Sequence, residues 1–163
     1  MSSSANETLR GFYVEYRQQL YTYAVSITRH REAAEDAIHH VFQQLLRRGN
    51  LPADLRPYIF MCVRNAALDT LRRAKTRGDS IFDETTELGA QDAGSNVPLS
   101  VDELNQWLER LSEDERETIV LKIFDSFSFQ EVADLRRVPL STATSWYRRG
   151  LAKLRTIVAE ENL

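Results

Sequence analysis

The chain has 163 residues, 28% of them charged, with a net charge of −3 and an ordinary apolar content. That is enough for one domain or two small ones, each with a real core. No apolar run approaches the length of a membrane span, the polar start Met1–Asn6 lacks the apolar segment of a signal peptide, and the single Cys62 excludes an intrachain disulfide framework and fits a reducing cytoplasm.

Apolar spacing predicts a first helix over Glu7–Arg29, carried by Leu9, Phe12, Tyr13, Tyr16, Leu20, Tyr23, Ala24 and Ile27. A second is expected over Glu32–Arg48, with Ala34, Ile38, Val41, Phe42 and Leu45 as its buried stripe and Gly49 as its stop. Asp54 is the expected cap of a third, which tolerates Pro57 in its first turn. That helix runs to about Thr76 through Tyr58, Met61, Ala67, Leu68 and Leu71, and it ends in Arg72, Arg73, Lys75 and Arg77. Cys62 falls in its apolar pattern and reads as a buried thiol. From Gly78 to Pro98 every period breaks. This stretch is polar and acidic and reads as a flexible linker. Helical pattern returns at two capping boxes: Ser100 with Glu103, leading to Leu104, Trp107, Leu108 and Leu111, and Ser112 with Glu115, leading to Ile119, Val120, Ile123 and Phe124.

The stretch from Phe127 to Gly150 reads as helix, turn, helix. Ser128 and Glu131 form another capping box, and Ala133 is small enough for close helix approach. Pro139 disfavours helix at Val138, and Ser141 is the expected cap of the next helix. Along that helix Ala143, Tyr147, Gly150 and Leu154 form one stripe, while Ser141, Thr142, Thr144, Ser145, Trp146, Arg148 and Arg149 lie off it. This is the layout of a helix-turn-helix that reads a DNA major groove. Charge supports it: between Arg136 and Arg155 there are six basic residues and no acidic one. The net charge is +5 over residues 1–77, −7 over 78–103 and −1 over 104–163. No segment alternates with period two. The chain therefore reads as all-α: a helical domain over 1–77, an acidic linker over 78–99, and a second helical domain over 100–163 that contains the helix-turn-helix.

Three stretches in this order resemble the extracytoplasmic-function (ECF) group of bacterial RNA polymerase sigma factors. They are Ala34-Glu35-Asp36 closing on Phe42, Arg64-Asn65 through Asp69 to Arg72-Arg73, and Leu111 to Leu154. The resemblance implies a transcription initiation factor, not an enzyme, without cofactor or metal. Its implied partners are core RNA polymerase and promoter DNA, with an anti-sigma protein as a further one. Glu35, Asp36, His39 and His40 would then lie on the helix that docks on core polymerase. Arg64, Asn65, Asp69, Arg72 and Arg73 would lie beside the melted −10 element, and the helix-turn-helix would read the −35 element.

The chain also departs from the family's pattern. Ala33, His39 and His40 stand where acidic or amide residues are usual, which weakens the acidic docking face. Thr144 and Trp146 replace residues that are often basic, and Arg137 takes a turn position often held by glycine. Trp146 can either cover a thymine methyl or pack inward. Glu35–His39 and Asp36–His40 are each four apart, but no further ligand accompanies them. Two other readings exist: a regulator that binds DNA without polymerase, and an interaction module whose DNA surfaces have degenerated. The Arg64–Arg73 helix argues against the first, and His39, His40 and Thr144 are what favour the second.

Overall fold

The computed structural model describes residues 2–78 and 106–161, all helices and the turns between them. Apart from Gly78, the expected linker lies outside the described residues, as do Ser100, Glu103 and Leu104. The described chain falls into a first unit within Met1–Glu84 and a second within Thr85–Leu163.

The first unit packs three helices: α1 (Ser2–Thr28), α2 (Arg31–Arg48) and α3 (Leu55–Arg77). Helix α1 begins five residues before the predicted start, its first turns polar and exposed, with Thr8 Oγ1 donating to the Ser4 carbonyl. His30 caps α2, its Nδ1 accepting from the Ala33 N–H, and Gly49 closes it at φ +67°. Asp54 stands at the cap position of α3 but its side chain makes no capping bond. Gly78 ends α3 at φ +74°. The core is apolar and aromatic. Leu20, Tyr23, Ala24, Ile59, Phe60 and Val63 are fully buried, with Tyr23 against Phe60 at 5.7 Å between centroids. Phe42 is half-buried beneath Phe12 and Tyr13 rather than fully inside.

The buried face of α3 differs from the predicted stripe. Ile59, Phe60, Val63, Ala67 and Ala74 point inward, while Tyr58, Met61, Leu68 and Leu71 are half-buried. Five consecutive apolar residues, Ile59 to Val63, leave the helical phase undefined in sequence, and contact with α1 and α2 sets it. Cys62 is likewise half-buried rather than enclosed; burial pushes its thiol up, against the hydrogen bond with Tyr58 and the charge of Arg48.

In the second unit residues 106–109 are helical, followed by α4 (Glu113–Ile119), a π-helical turn (Val120–Phe124), α5 (Phe129–Arg136) and α6 (Leu140–Glu161). The predicted capping boxes Ser112–Glu115 and Ser128–Glu131 are both made in full. The π turn carries an i→i+5 bond from the Asp125 N–H to the Val120 carbonyl. The wider turn rotates its own side chains relative to α4, so Leu121 is buried and Ile123, expected inside, is 48% exposed. Helix α6 begins at Leu140, two residues before the first helical position that a cap at Ser141 would give. The Pro139 carbonyl accepts from Thr142 and Ala143, so Ser141 lies within the first turn and does not cap it. Ala143, Gly150 and Ile157 face inward, with Tyr147 and Leu154 flanking them. A Cβ added at Gly150 would stand 3.1 Å from Ile119 Cγ1, so α6 crosses α4 closely there.

Candidate nucleic-acid and polymerase interfaces

Three polar surfaces emerge from this packing. On α2, burial of Ala34, Ile38, Val41 and Leu45 turns Glu35, Asp36, His39 and His40 outward together. Arg31 Nε lies 3.9 Å from Glu35, both exposed to solvent, so the pair stabilises the helix little. Burial pushes the nearby Tyr21 hydroxyl up, against the Arg31 guanidinium. Ala33 is only 6% exposed. Its departure from the family's acidic residue therefore lies in the core and does not weaken the outer face, contrary to expectation. Among the described residues no group of three His, Cys, Asp or Glu is placed to hold a metal ion.

On α3, Asn65, Asp69, Arg72 and Arg73 are exposed on successive turns, and Arg64 is half-buried at the flank. Arg73 Nη2 donates to Asp69 Oδ2 at 3.3 Å. Asn65 therefore presents an amide beside an ion pair, and Arg72, Lys75 and Arg77 extend the basic end of the helix into solvent.

The third surface is the outer face of α6. Ser141, Ser145, Arg148 and Arg149 are exposed, and Thr142, Thr144 and Trp146 are half-buried beside them. Thr144 Oγ1 donates back to the Ser141 carbonyl. The six basic residues do not act alike. Arg136 is 6% exposed at its side chain; its Nη2 donates to Asp114 Oδ1 at 2.6 Å, and its Nη1 lies 3.4 Å from Glu117 Oε2. Its guanidinium also lies 4.8 Å from the centroid of the Trp146 ring. Lys153 Nζ donates to Glu115 Oε1 at 2.7 Å. Arg137, Arg148, Arg149 and Arg155 remain exposed.

The second unit's framework is therefore partly ionic. Burial alone would push the Glu115 carboxyl up. Lys153 and the Ser112 N–H, which donates to it at 3.0 Å, outweigh that and hold it below the ordinary carboxylate range. Arg116 ties α4 to the preceding segment through the Leu108 and Leu111 carbonyls. At the far end of α6, Trp107 Nε1 donates to Glu161 Oε2 at 2.9 Å and Arg110 to Glu160 at 3.2 Å. The predicted turn residue Arg137 takes φ +55°, ψ +47°, the left-handed conformation that glycine adopts most readily. Sequence reasoning missed Arg136 as an anchor. Its partners Asp114 and Glu117 sit in a different helix, outside any local pattern.

Comparison with known proteins places the chain in a family. Residues 12–77 match the Sigma-70 region 2 model and residues 102–154 the Sigma-70, region 4 model. The chain is 26% identical to the RNA polymerase sigma factor CarQ of Myxococcus xanthus, covering 98% of this chain and 94% of CarQ. It is 24% identical to the ECF RNA polymerase sigma factor SigX of Bacillus subtilis, over 91% of this chain and 82% of SigX. Among solved structures, the sigma factor RpoE of Bartonella quintana, crystallised with the anti-sigma factor NepR, shares the fold at a TM-score of 0.74 and 23% identity. That match covers 92% of this chain and 98% of RpoE. With the region 2 and region 4 matches in order and ECF relatives matched over most of their length, the chain belongs to the ECF group of RNA polymerase sigma factors, non-catalytic proteins that bind core polymerase and promoter DNA and direct transcription initiation.

Proposed function

We propose a division of labour between the two units of this sigma factor. The first, over residues 1–77, docks on core polymerase through the α2 face of Glu35, Asp36, His39 and His40. It engages the melted −10 element through Arg64, Asn65, Asp69, Arg72 and Arg73. The second, over residues 100–163, reads the −35 element with Ser141, Thr142, Thr144, Ser145, Trp146, Arg148 and Arg149. Residues 78–99 connect the two as an acidic linker. The observation that carries this reading is the sorting of basic residues on and beside α6: its inward stripe closes the core, Arg136 of α5 and Lys153 of α6 are engaged by carboxylates, and Arg148 and Arg149 stay exposed on the outer face of α6. Exposed arginines on a helix-turn-helix meet phosphates and guanine edges.

Its place of work is the cytoplasm, where core polymerase and promoters are. Among the described residues no helix is long and apolar enough to cross a membrane. An anti-sigma protein is a further partner, supported by the complex that the structural relative RpoE forms with NepR.

Run-off transcription with purified core polymerase and a promoter library tests the reading. Wild type is expected to initiate from a defined subset. Arg149→Ala should lower −35 affinity by about 1–3 kcal/mol and relax one base position, because a bidentate arginine–guanine contact is worth that much. Asn65→Ala should reduce open-complex formation while core affinity stays unchanged. If DNA is bound with sequence preference but no transcript forms with core polymerase, the division of labour is wrong.

A further inference from the structure

Arg136 and Trp146 bring a buried charge of the framework against a residue of the reading helix. Arg136 stands in the last turn of α5, with Asp114 and Glu117 on α4 behind it and the indole of Trp146 on α6 in front. It therefore joins three helices through a single planar group. Two carboxylates already engage its charge, and its side chain is 6% exposed, so it is no phosphate contact. Trp146 is half-buried. It stands one turn after Thr142 and three residues before Arg149, which places it at the border of the outer face of α6. A guanidinium against the ring fixes a side chain that has only two torsions, and a ring fixed before binding loses little entropy on contact.

We propose that Arg136 and Trp146 act as one reading unit. Trp146 makes an apolar contact with the C5-methyl of a thymine in the −35 element, and Arg136 is the positioning residue that holds the indole there. The inference rests on the reading that α6 enters the −35 major groove. The chemistry is that of the groove itself: thymine alone among the four bases presents a methyl group there, and apolar side chains recognise it by contact rather than by hydrogen bonds. The Asp114–Arg136–Glu117 cluster behind the ring carries two carboxylates to one guanidinium, so it adds no electrostatic pull toward the phosphate backbone. At this position the chain reads a base by shape while Arg148 and Arg149 supply charge.

Deleting only the methyl tests this. Holoenzyme is reconstituted with wild-type, Trp146→Ala, Trp146→Phe or Arg136→Lys protein. Each is titrated against a −35 element selected by wild type from a randomised library, with every thymine on both strands replaced singly by uracil. Wild type is expected to lose about fourfold in affinity at one thymine, the worth of one buried methyl. Trp146→Ala should bind thymine and uracil equally at that position, and Trp146→Phe should keep part of the discrimination. Arg136→Lys keeps the charge for Asp114 and Glu117 but not the flat stack. It should lose discrimination without changing the slope of affinity against salt. Equal uracil penalties in wild type and Trp146→Ala would overturn the proposal. A salt slope lowered by about one in a further variant that removes the charge, Arg136→Gln, would make that residue a phosphate contact and remove its positioning role. Should Arg136→Lys fail to melt cooperatively, the two Trp146 variants decide alone. Loss of all sequence preference in wild-type holoenzyme is a different failure: it would remove the −35 assignment itself.

Discussion

In the first unit the fully buried side chains are Leu20, Tyr23, Phe60, Val63 and their like, and the buried polar groups are the hydroxyls of Ser26 and Thr28. In the second, Glu115, Glu117 and Asp125 are buried beside Ile119, Leu121 and Phe127. Among the described residues every buried carboxylate lies in the second unit. The turns differ in a similar sense. Helices α2 and α3 stop at Gly49 and Gly78, leaving Arg29 as the first unit's non-glycine residue at positive φ, whereas in the second unit Ser126 and Arg137 both take positive φ. Apolar contact is non-directional and tolerates small rotations of a helix. Ion pairs and stacked guanidinium groups are directional, and they distinguish one helix orientation from its neighbours. On the proposed division of labour, the unit that presents a helix to duplex DNA is the one braced by charge.

The largest expected effect separates the two kinds of core. Phe60→Ala removes a fully buried ring of the first unit and should cost about 3–5 kcal/mol there. Residue-resolved hydrogen exchange should show the loss in α1 to α3 and leave protection of α4 to α6 near wild type. An equal loss in both halves would mean that their cores are not separate.

A smaller effect tests the turns. Arg137→Gly should raise the stability of the second unit by about 1 kcal/mol, because a non-glycine residue in the left-handed region carries about that much strain. A rise in melting temperature with unchanged promoter preference is expected. A fall would show that the Arg137 side chain contributes more than its backbone strain costs.

The smallest concerns pH. The folded Glu115 carboxyl titrates below its unfolded counterpart, so its contribution is present above the ordinary carboxylate range and is lost as pH falls through the folded value. Acid titration followed by hydrogen exchange should weaken α4 and α6 before α1 to α3. Lys153→Met removes the main lowering partner, so the folded carboxyl no longer titrates well below the unfolded one and that acid-dependent loss should shrink or vanish. If both units weaken together in acid, the ionic character of the second core has little energetic weight.

The parts of this fold that could be read from sequence are the ones fixed by near neighbours. The capping boxes at Ser112 and Ser128 and the stop at Gly49 depend on residues within one turn, and all three stand where expected. The all-helical class and the outward faces of α2 and α6 followed from spacing, because in those helices apolar and polar residues segregate cleanly. Helix α3 does not segregate, so its inward face was assigned to the wrong residues. The π turn was hidden because a register shift has no local marker, and it moved Ile123 from the expected core to the surface. Arg136 was counted among residues that grip DNA; only its distant carboxylates reveal it as framework. The site residues proposed on α2, α3 and α6 rest on family resemblance more than on physics, since an exposed serine or asparagine on a helix has no chemical signature of its own.

Helix α6 is held at its far end by Trp107 to Glu161 and Arg110 to Glu160, whereas Ser141 and Ser145 lie in its opening turns. About twenty residues separate the tethers from the reading end, which is roughly 30 Å along the axis. Between the two, α6 is fixed again by its close crossing at Gly150, the Lys153–Glu115 pair, buried Ala143 and the Arg136 guanidinium against Trp146. On the proposed assignment, the angle at which the helix meets a promoter is therefore set by its packed first half, and the two solvent-exposed hydrogen bonds at the far end only trim it.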